Sequence, residues 1–160
     1  MDRTNDAKAT TDRSDALSTL NNLLETCRDG EQGFRTAADG VDDANLKRLF
    51  QSYAQQRAEF VAELQREVQR LGGDPADHGH AAAAAHRGWI NIKSAVTGKD
   101  DHAVLAEAER GEDYAVKAYR QALDSGLSPE LRMIVERQYM QVKEAHDHVR
   151  AMRDAHAHKG

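Results

Sequence analysis

LSTLNNLLETCRDGEQGFRTAADGV, residues 17–41, decides the fold. Leu17, Leu20, Leu24, Cys27, Glu31, Phe34, Ala38 and Val41 follow one another by alternating steps of three and four. Such steps lay side chains along one narrow face of an α-helix. The rhythm returns three times. Leu46, Phe50, Tyr53, Arg57, Phe60, Leu64, Val68 and Leu71 form a second stripe, begun after Asp43 and stopped by Gly72-Gly73-Asp74-Pro75. Val104, Leu105, Ala108, Glu112, Ala115, Tyr119, Ala122 and Leu123 form a third, closed by Ser125-Gly126. Leu131, Ile134, Val135, Gln138, Val142, Ala145, Val149 and Met152 form a fourth, with Ser128 as N-cap and Pro129 in the first helical position. Between the second and third, Ala81 to Val96 reads as a shorter helix with Ala82, Ala85, Trp89, Ile92 and Val96 on one side.

Short connections make antiparallel hairpins, so the chain is expected to be an all-α bundle of two hairpins joined by a crossover helix. Composition agrees. The 160 residues suit one domain, and 31% charged residues, 5% aromatics and two prolines favour long helices over a sandwich or barrel. A net charge of −5 speaks against nucleic acid. One cysteine, Cys27, excludes a disulfide within the chain. No apolar run reaches the ~18 residues of a membrane span, and residues 1–13 lack the apolar core of a signal peptide. A cytoplasmic location is expected. Residues 1–13 read as a disordered polar tail, 14–155 as the bundle and 156–160 as a frayed tail. The apolar side of the crossover must pack on its own bundle or on a second copy in a homodimer.

The two hairpins repeat. At an offset of 81, Leu23 matches Val104, Leu24 matches Leu105, Gly30-Glu31 matches Gly111-Glu112 and Ala37 matches Ala118. At an offset of 85, Leu46 matches Leu131, Gln56 matches Gln141, Glu59 matches Glu144 and Glu63 matches His148. Repeated hairpins with a crossover describe the ferritin-like bundle, whose metal site takes a glutamate from each of two helices and a Glu-x-x-His pair from each of the others. The stretches QQRAEF (55–60), HRGWINIK (86–93), ERGED (109–113) and VKEAHD (142–147) carry a more specific likeness. Through them the chain resembles a family of small bacterial ferritin-like bundle proteins, distantly related to rubrerythrins. The activity of that family is not established; the resemblance implies the fold and suggests a metal.

Read residue by residue, the donors are mixed. Glu31 and Glu112 stand in apolar stripes, where an uncompensated carboxylate costs several kcal/mol. Each follows a glycine. Glu109, three before Glu112, gives a Glu-x-x-Glu that resembles the rubrerythrin arrangement. His146 borders the last stripe and can ligate, or pair with Glu112 when protonated. Glu59 and Glu144 are not followed by histidine three later, and each lies about 140° from its stripe, toward solvent. Arg57 stands at the depth of Glu31 and can bond a carboxylate through two donors. No nucleophile–base motif or phosphate loop occurs.

Two functions follow. One is a non-catalytic structural or stress-associated bundle without cofactor, holding a core network of Glu31, Arg57 and Glu112 with Gln138, Tyr53 and His146 nearby. The other is a di-iron or other divalent-metal protein that oxidises iron or removes peroxide, with ligands from Glu31, Glu109, Glu112 and His146, supplemented by Glu59 or Glu144. The absent Glu-x-x-His pairs favour the first.

Overall fold

The computed structural model describes residues 2–75 and 88–157, with side chains for residues 12–75 and 88–156. The helices are α1 (Asp2–Gly40), α2 (Ala44–Arg70), α3 (Ile92–Thr97), α4 (Asp101–Leu123) and α5 (Pro129–Ala157), and no strand occurs among the described residues. None of these helices is long and apolar enough to cross a membrane.

Local chemistry sets the boundaries. Asp43 caps α2 by accepting from the Asn45 and Leu46 amides at 2.8 and 3.1 Å. Asp100 does the same for α4 through the amides of His102 and Ala103. Ser128 Oγ accepts from the Leu131 amide, and Pro129 opens α5 without an amide to satisfy. Gly72, at φ +82°, ends α2 in the left-handed conformation that glycine adopts without strain. At the amino end, α1 begins at Asp2, so the backbone of the segment read as a disordered tail continues the helix. Residues 2–13 contain no glycine or proline to stop a helix that packing has already nucleated downstream.

α1 packs antiparallel on α2, α4 on α5, and the hairpins meet chiefly along α1 and α4. α2 and α5 touch least. Two apolar clusters fill the interior. One is centred on Leu20, Leu24, Phe60, Leu64, Tyr119 and Val135. The other contains Phe34, Leu46, Phe50, Trp89, Leu105 and Val149. Arg57 falls between them on α2, and Glu112 between them on α4.

The α2–α5 seam is polar. Tyr53 Oη lies 3.0 Å from His148 Nδ1, Gln56 Nε2 donates to Gln141 Oε1 at 3.3 Å, and Gln138 Nε2 donates to Glu63 Oε1 at 2.7 Å. Tyr53 and Gln138, Gln56 and Gln141, and Glu63 and His148 are each 85 positions apart. The Tyr53–His148 and Gln138–Glu63 contacts therefore exchange under the repeat, and Gln56–Gln141 maps onto itself. A duplicated hairpin folded about an approximate two-fold gives this pattern.

The crossover differs from expectation. Of the helix expected over Ala81–Val96, the part from Ile92 onward forms as α3, but Gly88 bends at φ +84° and residues 89–91 are not helical. Ala82, Ala85, His78 and His80 lie outside the described residues. The bend serves Trp89, which is 5% exposed and packs within its own chain. Its indole meets Phe34 edge-on, with ring centroids 4.9 Å apart. It occupies a slot that two glycines leave open: a Cβ would stand 2.3 Å from the ring at Gly33 of α1 and 2.2 Å from it at Gly111 of α4.

Candidate functional site

At the boundary of the two clusters, Arg57 Nη1 and Nη2 donate to Glu112 Oε1 and Oε2, each at 2.6 Å. Arg57 is 1% exposed and Glu112 0%. A fork-to-fork pair is the one geometry in which both groups satisfy each other at two points, and it makes burial of both charges tolerable. Three neighbours complete the seat. Gly30 leaves room for the arginine stem, since a Cβ there would lie 3.3 Å from Arg57 Nη1. The Phe34 ring lies 5.5 Å from the guanidinium carbon, within reach of a cation–π contact. Gln56 Oε1 accepts from Arg57 Nε at 3.4 Å. Burial disfavours the Arg57 charge but is outweighed by the Glu112 carboxylate, which holds the guanidinium above its ordinary pKa.

A second buried chain runs beside this pair. Cys27 Sγ lies 3.1 Å from Tyr119 Oη, which donates to Gln138 Oε1 at 2.7 Å. Gln138 in turn donates to Glu63, which also pairs with Arg137. Burial pushes the Cys27 thiol up to about 11 and the Tyr119 phenol well above its ordinary value. Both stay protonated near neutrality, so Cys27 is no nucleophile there.

A third group lies between α4 and α5. His146 Nε2 is 2.5 Å from Asp113 Oδ1, and Nδ1 is 3.0 Å from Asp147 Oδ1. Glu109 approaches the same point, and ligand atoms of Glu109, Asp113 and His146 all lie within 4.8 Å of one another. Arg153 pairs with Glu109, and Arg150 Nε stands 3.5 Å from it.

Several expected site residues are placed elsewhere. Glu31 is not in the core: its carboxylate accepts from Arg35 at 2.7 Å on the helix surface, and its side chain is 26% exposed. The buried arc of α1 passes through Cys27, Gly30 and Phe34, so Glu31 stands about 100° round from the position facing Arg57. The expected Glu31–Arg57–Glu112 network is thus a pair, Arg57–Glu112. Tyr53 is half-buried and bonds His148 rather than the pair, while burial, with Glu112 and Glu144, pushes its phenol up to about 12. Gln138 is buried but serves Tyr119 and Glu63. His146 faces Asp113 and Asp147, not Glu112. Glu59 and Glu144 are exposed.

These positions do not fit a di-metal carboxylate centre. Such a centre needs donors from four helices converging on one interior point. Here the only one of the expected glutamates that reaches the interior between the clusters, Glu112, has both oxygens taken by a guanidinium. Sequence reading missed Asp113 as a neighbour of His146. Its spacing of four from Glu109 was the available signal, since that spacing shares a helix face.

The fold and this interior define a class: an all-α, two-hairpin bundle with a salt bridge where its four long helices meet. The chain belongs to the family described as domain of unknown function DUF2383, whose pattern matches residues 15–125, from α1 through the turn after α4. No curated protein matches it.

Proposed function

We propose that this chain is a ferritin-like bundle, distantly rubrerythrin-like, that works as a non-catalytic structural or stress-associated protein. In it the Arg57 guanidinium supplies the positive charge that a metal supplies in the metal-binding members of that fold. One observation carries the reading: the bidentate Arg57–Glu112 pair, both groups excluded from water. The two-fold pattern of contacts across the α2–α5 seam supports the ferritin-like part, as does a crossover between the second and third long helices. A fixed cation on the chain cannot change oxidation state or exchange ligands, so the interior is suited to holding helix register rather than to turnover.

The test is metal analysis of untagged protein, followed by anaerobic ferrous iron titration and exposure to oxygen. The expected result is no oxygen-dependent ferric signal and no iron binding that depends on Glu112. Binding of about two irons per chain, abolished by Glu31→Ala or Glu112→Ala, would overturn the proposal.

A further inference from the structure

The α4–α5 hairpin carries an open groove of about 490 Å³, and its chemistry does not depend on how the Arg57–Glu112 pair is read. That volume lies in the range of small-molecule sites, about 300–1,000 Å³. We propose that the groove binds one phosphate-class dianion, either inorganic phosphate or the phosphate of a small phosphomonoester, with Lys117, Arg120 and Lys143 as its cationic contacts. Lys117 and Arg120 stand one turn apart on α4, and Lys143 comes from α5.

Three observations point to an anion. The first is charge. Lys117, Arg120, Lys143 and Arg150 line the groove against one carboxylate, Asp113, in a chain whose net charge is −5. That carboxylate is already engaged by His146 Nε2 at 2.5 Å. Arg150 is drawn to Glu109 at 3.5 Å and Lys143 to Asp147 at 2.9 Å, which leaves the surplus at the Lys117 and Arg120 end. The second is register. Arg120 Nε donates to Tyr139 Oη at 3.0 Å on one side, and Asp113 meets His146 on the other. Antiparallel pairing between those two contacts sets Lys117 of α4 level with Lys143 of α5. Like charges at one level on packed helices repel, and a dianion between them replaces that repulsion with two attractions. The third is the state of the α4 cations. Lys117 makes no hydrogen bond or ion pair among the described residues. Arg120 bonds the neutral Tyr139 phenol through Nε, so its charge has no acid partner and its Nη edge is open to a ligand. A guanidinium edge and two ammonium groups are the donors that a phosphate takes. Val116, buried at the groove, offers the organic part of an ester an apolar surface. The acidic remainder of the chain opposes an extended polyanion, whereas a small dianion meets the local field alone.

Calorimetric titration of the untagged full chain with inorganic phosphate and with phenyl phosphate, at mildly alkaline pH and constant ionic strength, tests the assignment. The expected result is saturation at one equivalent. Phenyl phosphate binding several-fold more tightly would identify an ester as the ligand, and equal affinity would identify free phosphate. Lys117→Gln and Lys143→Gln should each weaken binding by about tenfold or more. Lys117 is exposed and without a partner among the described residues, so its variant is expected to fold even if the other does not. Lys93→Gln, outside the groove, should change nothing. Asp113→Asn should tighten binding several-fold, which a merely structural role for these side chains would not produce. No saturable binding of either probe would overturn the proposal. So would unchanged affinity in Lys117→Gln, or displacement by chloride at matched ionic strength, which would show a charged surface and no site.

Discussion

Replacing Arg57 with methionine removes the guanidinium while keeping most of the side chain's length. Glu112 is wholly buried and loses two charge-assisted hydrogen bonds of 2.6 Å at once. Two routes give the cost. Stranding one partner of a buried ion pair destabilises by about 3–5 kcal/mol. Two hydrogen bonds to charged groups, at about 1.5–3 kcal/mol each, give a similar figure. For a chain of this length the melting temperature should fall by about 6–20 °C. Glu112→Gln should cost nearly as much, because it strands Arg57. The informative variant is the double, Arg57→Met with Glu112→Leu. An apolar pair of similar volume is often neutral or stabilising relative to a buried ion pair, so the double should be more stable than either single. Urea unfolding followed by far-ultraviolet circular dichroism measures all three. A single-variant loss under about 1 kcal/mol, or a double-variant loss equal to the sum of the singles, would refute the reasoning.

Gly111→Ala should destabilise the bundle even though alanine is favoured in a helix by about 1 kcal/mol, because its Cβ would stand 2.2 Å from the Trp89 ring. Adding Trp89→Ala to the same chain should relieve that clash; a thermal melt showing Gly111→Ala stabilised would mean the indole is not wedged there. Trp89→Ala alone should cost about 3 kcal/mol or more, and wild-type emission should be blue-shifted and shielded from iodide; free iodide quenching would contradict this. Stability should fall in alkali. Cys27 and Tyr53 are pushed up to about 11 and about 12 by burial, from 9.0 and 10.0. The folded state then keeps protons that the unfolded chain has lost, so this contribution is whole below about pH 9 and is lost as pH rises through 11 to 12. A urea midpoint unchanged from pH 8 to 11 would contradict it. The Cys27 thiol should react with a disulfide reagent at pH 8 only after unfolding; rapid reaction of the native chain would show that it is accessible.

The four long helices were legible because their stripes consist of large apolar residues at steps of three and four, as in Leu46, Phe50, Leu64 and Val68. Arg57 and Glu112 were legible for the same reason, as charges in stripes that water does not reach. Glu31 was misplaced because Gly30 has no side chain to mark it as core-facing, so the eye passes to the next large residue. The glycine before it is what the interior uses, as room for Arg57. The crossover reads as a helix because Ala81 to Val96 is amphipathic in isolation. Its bend depends on a slot formed by Gly33 and Gly111, which belong to different hairpins and meet only in the folded bundle. The approach of His146 to Asp113 likewise depends on the register of α5 against α4, which periodicity within either helix does not specify. Position along a helix face was readable, and pairing between faces was not.

The most direct measurement is anomalous diffraction from crystals of the full chain soaked anaerobically in ferrous iron. If a guanidinium holds the interior, no anomalous peak will lie at Glu112, and Arg57 will remain bonded to both of its carboxylate oxygens. Two adjacent peaks bridged by Glu112, with Arg57 displaced, would contradict the account.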